Sequence, residues 1–128
     1  MVRANTRVVG ADAELLAFRY LKQQGLTPVR RNFQCRLGEL DLIMQDDQCL
    51  VIVEVRFRGG KSIVSAELTI DHRKQQKIIR TTALFLAWNE RFAEMPVRFD
   101  VVGIDADATG ESTIKWIRDA FRPSDSRL

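Results

Sequence analysis

The chain has 128 residues, of which 45% are hydrophobic, and its formal net charge is +3. These values fit one globular domain that builds its own core, and we expect that domain over residues 1–122 with a flexible tail over 123–128. Two cysteines and one histidine are too few for a structural zinc site and offer little for a Cys–His or Ser–His–Asp centre. No segment has the length and apolarity of a membrane span or a signal core, which predicts a cytoplasmic protein without a membrane partner.

Hydrophobic periodicity predicts a helix, three strands, a second helix and one or two further strands. In chain order the predicted elements are a helix over 11–24, strands over 27–36, 39–45 and 49–57, a helix over 71–88, and strands over 97–104 and 113–117. Three successive strands predict a meander, and a helix between the third and fourth strands predicts a parallel crossover. The sequence therefore predicts an α/β fold, with a mixed sheet of four to five strands flanked by helices.

Positive charge is gathered in clusters, a distribution that favours a polyanionic partner such as DNA. Residues 15–38 contain no acid. Two further basic clusters follow, the second formed by Arg56, Arg58 and Lys61 and the third by Arg73, Lys74, Lys77 and Arg80. For the third cluster, a solvated helix face is an equally good interpretation. The basic residues expected to contact phosphates are Arg30, Arg31, Arg36, Arg58, Lys61, Lys74 and Lys77.

Glu54 lies in an apolar run that otherwise indicates a central, fully buried strand, Leu50–Arg56. A buried charge is costly unless it is paired or binds a metal ion, so its presence there points to a site. Strand alternation puts Glu54 and Arg56 on one face of the sheet, and Val53, Val55 and Phe57 on the other.

Asp41 repeats this pattern one strand earlier. Alternation predicts that Asp41 and Glu39 share one face and that Leu40 and Leu42 share the other. A hairpin turn at residues 46–47 would bring Asp41 beside Glu54 on the neighbouring strand, with some offset in register. Glu14, near the apolar stripe of the first helix, is a third candidate acid.

Carboxylates that converge beside a guanidinium form a site of hard oxygen ligands, which Mg²⁺ and Mn²⁺ prefer. Such an ion can activate water and stabilise charge on a phosphodiester, and Arg56 would hold the phosphate. Structural ion pairs among these residues are the alternative, since such pairs also place charges in strands.

Together these residues resemble the YraN family of uncharacterised bacterial proteins, and the resemblance extends over nearly the whole chain. The matching segments are Gly38-Glu39-Leu40-Asp41-Leu42-Ile43, Val53-Glu54-Val55-Arg56-Phe57-Arg58, Gly10 and Glu14 with Ala17, Tyr20 and Leu21, Arg31-Asn32, Lys74-Gln75, Arg98-Phe99-Asp100-Val101, Trp116-Ile117 and Ala120-Phe121.

This resemblance implies a restriction-endonuclease-like core, because the family is regarded as predicted nucleases related to archaeal Holliday-junction resolvases in the PD-(D/E)xK superfamily. Asp41 would then be the first metal-binding acid and Glu54 the second, with Arg56 at the lysine position. Glu14 would match the helical acid, and Lys74 with Gln75 would contact substrate. Resolvases cut two strands symmetrically, which suggests a homodimer.

Two departures from the family pattern affect the expected chemistry. Leu40 replaces a proline, which is a minor change, and Arg56 replaces the lysine. Arginine stays protonated and cannot act as a general base, so a metal ion or a carboxylate such as Glu39 would have to activate water. We therefore expect a Mg²⁺- or Mn²⁺-dependent endonuclease acting on DNA, with branched DNA as one candidate substrate. A nucleic-acid-binding module without catalysis and a partner-binding scaffold are the alternatives.

Overall fold

Side chains at alternating strand positions pack into two separate hydrophobic cores, one on each side of a mixed sheet. The computed structural model describes residues 2–4, 10–59, 70–107, 109 and 111–123. Its elements in chain order are β1 (Val2–Ala4), α1 (Gly10–Gln23), β2 (Thr27–Cys35), β3 (Gly38–Asp46), β4 (Cys49–Gly59), α2 (His72–Trp88), a short 3₁₀ helix (Glu90–Phe92), β5 (Val97–Ala106) and β6 (Ser112–Phe121).

The strand order of the sheet is β1-β6-β5-β4-β3-β2. β4 and β5 are parallel and are connected through α2, whereas the other neighbouring strands are antiparallel. The predicted α/β fold, meander and parallel crossover are confirmed, and the arrangement is consistent with a restriction-endonuclease-like fold. The short edge strand β1 was not predicted, because three residues carry no readable periodicity.

The hairpin between β3 and β4 sets the register on which the site depends. Asp46 still pairs with Cys49, so the turn consists of residues 47–48, one position later than predicted. Asp47 has a φ of 57°, a conformation that aspartate tolerates in tight turns. Pairing continues without a shift to Leu42 opposite Val53, so the expected offset is absent.

Each helix covers one side of the sheet. The α1-side core combines helix residues with inward positions of the central strands, namely Ala13, Ala17, Leu21, Leu42, Met44, Val51, Val53, Val102 and Ile104. The α2-side core contains Phe33, Leu40, Ile43, Leu50, Ile52, Ile78, Ile79, Phe85, Phe99 and Val101. Successive residues of β4 thus alternate between the two cores, as a strand buried on both faces requires.

The β2–β3 turn packs closely against α2 at Gly38. This glycine has a φ of 150°, and a Cβ added there would lie 3.0 Å from Thr81 Oγ1 and 3.1 Å from Lys77 Cε. We expect Gly38→Ala to lower the free energy of unfolding by about 1–3 kcal/mol, because it adds both strain and overpacking. Gly25→Ala is the control, because Gly25 has a φ of 101° but open space around it. Urea titration of both variants measures the difference, and equal losses would contradict the packing argument.

Several predictions fall outside this description. The loop expected after Gly59, with Lys61 in it, and the tail at 124–128 lie outside the described residues. No helix within the described ranges combines the length and apolarity needed to cross a membrane. The cytoplasmic location stays a prediction.

Candidate functional site

The regular alternation of β3 breaks at Asp41. Leu40 packs in the α2-side core and Leu42 in the α1-side core, although they are two residues apart. Asn32, across from Asp41 on β2, has a φ of 57° and forms no ladder pair with it. The prediction that Leu40 and Leu42 share a face is therefore wrong. The regular alternation of side chains between the two faces of the sheet is interrupted at Asp41 in β3 and at Asn32 in β2.

Asp41 closes the gap that opens between β3 and β4. The ladder between these strands ends at Leu42 and Val53, and Asp41 Oδ2 then accepts a hydrogen bond from the backbone N–H of Val55 at 2.9 Å. The carboxylate thereby takes the place of a strand carbonyl, and only 8% of the residue is exposed. Asp41 and Glu54 lie on adjacent strands, as predicted.

Glu54 lies on the α2 side of β4. Val53, Val55 and Phe57 all pack with the α1-side core, which confirms the predicted alternation along this strand. The Glu54 side chain is 11% exposed, and its Oε2 lies 3.5 Å from Lys74 Nζ. Lys74 is in the first turn of α2, where its backbone N–H donates to the capping carboxylate of Asp71 at 2.8 Å.

The ion pair between Lys74 and Glu54 was not foreseen. The sequence marked Lys74 as a basic residue near a helix start, but periodicity does not tell where that helix start docks. Its neighbour Gln75 donates from Nε2 to the carbonyl of Ile70 at 2.8 Å, and so helps to fix the entry into α2. A substrate contact by Gln75 stays a prediction.

The two largely buried carboxyl groups of Asp41 and Glu54, together called the acidic pair, lie close enough to share a hydrogen bond. Burial raises the pKa of Glu54 to about 7, and the negative charge of Asp41 adds to this effect, whereas Lys74 and Arg56 act in the opposite direction. Burial also raises the pKa of Asp41, although its hydrogen bonds with Val55 and Glu54 act against the rise. The local cations therefore do not offset the cost of burying two charges together.

Glu14 approaches this pair from α1. Burial raises its pKa first, and the charges of Asp41 and Glu39 raise it further, as does a hydrogen bond with Asp41. Glu39 is exposed at the start of β3 and acts here through its charge. The structure therefore brings Glu14, Glu39, Asp41 and Glu54 into one electrostatic neighbourhood, with Arg56 acting on Glu54 from the same strand.

Within the described part of the chain, no three acidic, histidine or cysteine side chains are grouped so that they could hold a metal ion together. The acidic pair consequently offers two carboxylate ligands, and Glu14 as a third ligand stays a prediction. Hard oxygen donors of this kind suit Mg²⁺ or Mn²⁺, which commonly take their other ligands from water and substrate phosphates.

An open cleft of about 370 Å³ adjoins Lys74 and Glu39. Its lining residues are Gln34, Cys35, Gly38, Glu39, Lys74, Lys77 and Ile78. The exposed Lys77 and the Lys74 amine give this cleft a cationic wall close to the acidic pair. A phosphate in the cleft could therefore contact lysine while remaining near Glu54.

The predicted phosphate-binding arginines lie mostly at the surface. Arg30, Arg31 and Arg36 are exposed on or just after β2, and Arg58 is half-buried in β4. The guanidinium of Arg31 lies 4.9 Å from the Phe18 ring centroid, and that of Arg30 lies 5.2 Å from the Phe33 centroid. Aromatic contacts of this kind orient the arginines while leaving their N–H groups available.

The proteins to which this chain is similar are named by family, and their names state no activity. The model of the uncharacterised protein family UPF0102 matches residues 13–104. A UPF0102 protein of Saccharophagus degradans is 47% identical over 112 residues, covering 88% of this chain and 91% of that protein. UPF0102 proteins of Pseudomonas fluorescens and Stutzerimonas stutzeri are 42% and 46% identical, over 94% and 88% of this chain and 98% and 92% of their own lengths.

Proposed function

The chain belongs to the uncharacterised protein family UPF0102, the YraN family, and we propose that it is a divalent-metal-dependent endonuclease that hydrolyses DNA phosphodiester bonds. The observation that carries this proposal is the acidic pair, two buried carboxyl groups that meet where β3 and β4 separate. Burial and the charge of Asp41 raise the pKa of Glu54 to about 7, so keeping both groups ionised at this position is costly. A substrate-linked cation would relieve that cost.

The donor set fits Mg²⁺ or Mn²⁺. Asp41 and Glu54 would hold the ion, and its remaining ligands would be waters and a phosphate oxygen. Once bound, the ion would polarise the phosphate and lower the pKa of a water molecule.

The surrounding side chains have distinct roles in this proposal. Lys74, whose side chain is 43% exposed, faces both Glu54 and the cleft, and it would contact a non-bridging phosphate oxygen. Arg56 carries a permanent charge and would stabilise the negative charge that builds up on the phosphate. Glu39 is the exposed carboxylate of the neighbourhood, and it would accept the proton of the attacking water.

Duplex, branched and single-stranded DNA, each with Mg²⁺, Mn²⁺ or EDTA, test the proposed activity. We expect wild type to cut in the presence of either ion, and Asp41→Asn to cut about a thousandfold more slowly, because it removes a charged ligand worth several kcal/mol. Glu94→Gln is the matched control, since Glu94 is an exposed acid outside the site. Equal cleavage by Asp41→Asn would show that the site is wrong, and salt-sensitive binding without cleavage of any DNA form would favour the binding-module alternative.

The affinity for Mn²⁺ is expected to rise with pH. The pKa of Glu54 is about 7, so the ion must displace a proton from the pair at lower pH. The dissociation constant should fall by about tenfold per pH unit between pH 5.5 and 7, and level off above that range. Calorimetry in buffers of different ionisation enthalpy measures both the affinity and the proton release. A flat affinity over this range would contradict the assignment of Glu54 as a ligand.

A further inference from the structure

Trp88 is the one large hydrophobic residue that is exposed in the described part of the chain, with 61% of its surface accessible. It ends α2, three residues after Phe85 and therefore on a similar side of that helix. Phe85 before it and Phe92 after it are buried, at 1% and 4% exposure, whereas Trp88 is not. A single exposed hydrophobic residue is ordinary by itself, so the case for a function rests on what surrounds the indole.

The exposed indole rests on a rigid aromatic base. Its ring packs edge-on against Phe33, with 5.9 Å between centroids and 70° between planes. Phe33 is only 2% exposed and packs in turn against Phe85 at 5.2 Å. The position of Trp88 is therefore fixed by buried residues, while most of its surface faces solvent.

A cation accompanies this aromatic group. The guanidinium of the exposed Arg30 lies 5.2 Å from the centroid of the same Phe33 ring. The β2 segment that carries Arg30 contains no acid, whereas Glu90 and Arg91 follow Trp88 in the chain. An aromatic face beside an arginine combines a stacking surface for a base with a contact for the adjoining phosphate.

We propose that Trp88 stacks on an unpaired nucleobase while Arg30 contacts the neighbouring phosphate, so that the ligand is DNA containing a single-stranded portion. This inference deepens the proposed function and rests on its DNA-binding part. Bases inside a duplex are covered by their neighbours, whereas an unpaired base exposes a π-face of any sequence.

The distance between Trp88 and the acidic pair sets the length of DNA that would have to span them. Lys74, beside Glu54, and Trp88 are 14 residues apart on one helix, and at 1.5 Å per residue this separation is about 21 Å. About six stacked nucleotides, at 3.4 Å each, span that distance. The unpaired base at Trp88 would thus lie about six nucleotides from the phosphate at the acidic pair.

Binding in EDTA separates this proposal from catalysis. Forked DNA and a fully paired duplex of the same sequence are titrated with wild type, Trp88→Ala and Trp88→Phe. We expect Trp88→Ala to bind the fork about tenfold more weakly and the duplex nearly as wild type, and Trp88→Phe to keep most of the fork affinity. The salt dependence of Trp88→Ala should be unchanged, whereas Arg30→Ala should lower the salt slope by about one.

Lys115→Ala is the matched control for Arg30→Ala, because Lys115 is an exposed cation on β6, at the other end of the sheet. Trp88 is largely exposed, so thermal unfolding should show that Trp88→Ala folds normally. If Trp88→Ala lost affinity equally for the fork and the duplex, the proposal would be overturned. A wild-type dimer that Trp88→Ala converts to monomer would also overturn it, since the indole would then contact a second copy.

The two proposals fail in different ways. If Trp88→Ala loses fork binding while Asp41→Asn cuts as well as wild type, the stacking site stands and the acidic pair is not the catalytic centre. If cleavage by wild type is lost in Asp41→Asn but Trp88→Ala binds both DNA forms as tightly as wild type, only the stacking site is wrong. A wild-type protein that binds no form of DNA would overturn both.

Discussion

Glutamine in place of Glu54 is expected to stabilise the protein above pH 7 and to abolish the proposed cleavage of DNA. Burial and the charge of Asp41 raise the pKa of Glu54 to about 7, so the folded protein resists ionisation of this group. At pH 8 the wild-type protein must nevertheless carry the charge. Glutamine has nearly the same shape and no charge, so it removes this cost and also removes a proposed metal ligand.

The direction of the pH dependence follows from proton binding. Between about pH 4.5 and 7 the folded state holds a proton on Glu54 that the unfolded chain has lost, so the free energy of unfolding falls as the pH rises. Below pH 4.5 both states are protonated and the contribution of Glu54 is at its most favourable. The total change is at most about 3 kcal/mol, and the ion pair with Lys74 and local relaxation reduce it.

Urea titrations at pH 5 and pH 8 measure this effect. We expect the free energy of unfolding of Glu54→Gln to equal that of wild type at pH 5 and to exceed it by about 1–3 kcal/mol at pH 8. Glu94→Gln, an exposed acid, should show no such difference. A Glu54→Gln variant that is strongly destabilised at both pH values would support the scaffold alternative, in which the carboxylate serves the fold.

The pairing of Asp41 with Glu54 could be predicted because it depends on local rules. Both strands carry an acid among apolar residues, and a two-residue hairpin fixes the register between them. Counting from the predicted turn at 46–47 places the two acids on neighbouring strands with an offset, and the observed turn at 47–48 removes that offset. The family resemblance pointed to the same two residues independently.

Other features of the site depend on long-range packing, which periodicity does not report. The reversal of β3 at Asp41 accompanies an unusual conformation at Asn32, a residue of another strand. The Lys74 amine reaches Glu54 because the start of α2 docks over β4, and residues between those elements lie outside the described ranges. The exposure of Trp88 likewise depends on tertiary packing, since Phe85 and Phe92 on either side of it in the chain are buried.

A buried acid in an apolar strand also occurs at Asp100, where the sequence pattern is the same but the surroundings differ. Asp100 is fully buried between Phe99 and Val101 in β5. Its Oδ1 accepts hydrogen bonds from Arg98 Nε and the backbone N–H of Asp119, both at 2.9 Å. Its Oδ2 accepts from Arg98 Nη2 at 3.0 Å and from Trp116 Nε1 at 2.9 Å.

These four donors explain an irregularity in the sheet. β5 and β6 shift register between Phe99 and Val101, so the β6 residues between Ile117 and Phe121 loop around Asp100. Asp119, in that loop, has a φ of 54° and directs its N–H to the Asp100 carboxylate. Asp100 thus accepts from four donors, whereas Asp41 accepts one backbone N–H and lies beside a second carboxyl group, that of Glu54. The choice of partners separates a structural acid from a candidate catalytic one.

Asp100→Asn is expected to lower the free energy of unfolding by about 3–5 kcal/mol, because it breaks a buried ion pair and leaves donors facing donors. Each carboxylate oxygen accepts two hydrogen bonds, so the amide NH₂ of asparagine opposes two N–H groups in either orientation. Asp41→Asn should be much milder, because Oδ2 receives the Val55 N–H and the amide can present its oxygen there.

Asp46→Asn is the control for Asp100→Asn, because Asp46 also accepts from Arg98, at 3.2 Å, but is 32% exposed. Its loss should cost less than about 1 kcal/mol, as for other partly solvated ion pairs. Urea titration of Asp100→Asn, Asp46→Asn and Asp41→Asn at pH 7 ranks the three acids. If Asp41→Asn proved as destabilising as Asp100→Asn, both carboxylates would serve the fold, and the physical distinction on which the acidic pair is assigned to chemistry would be lost.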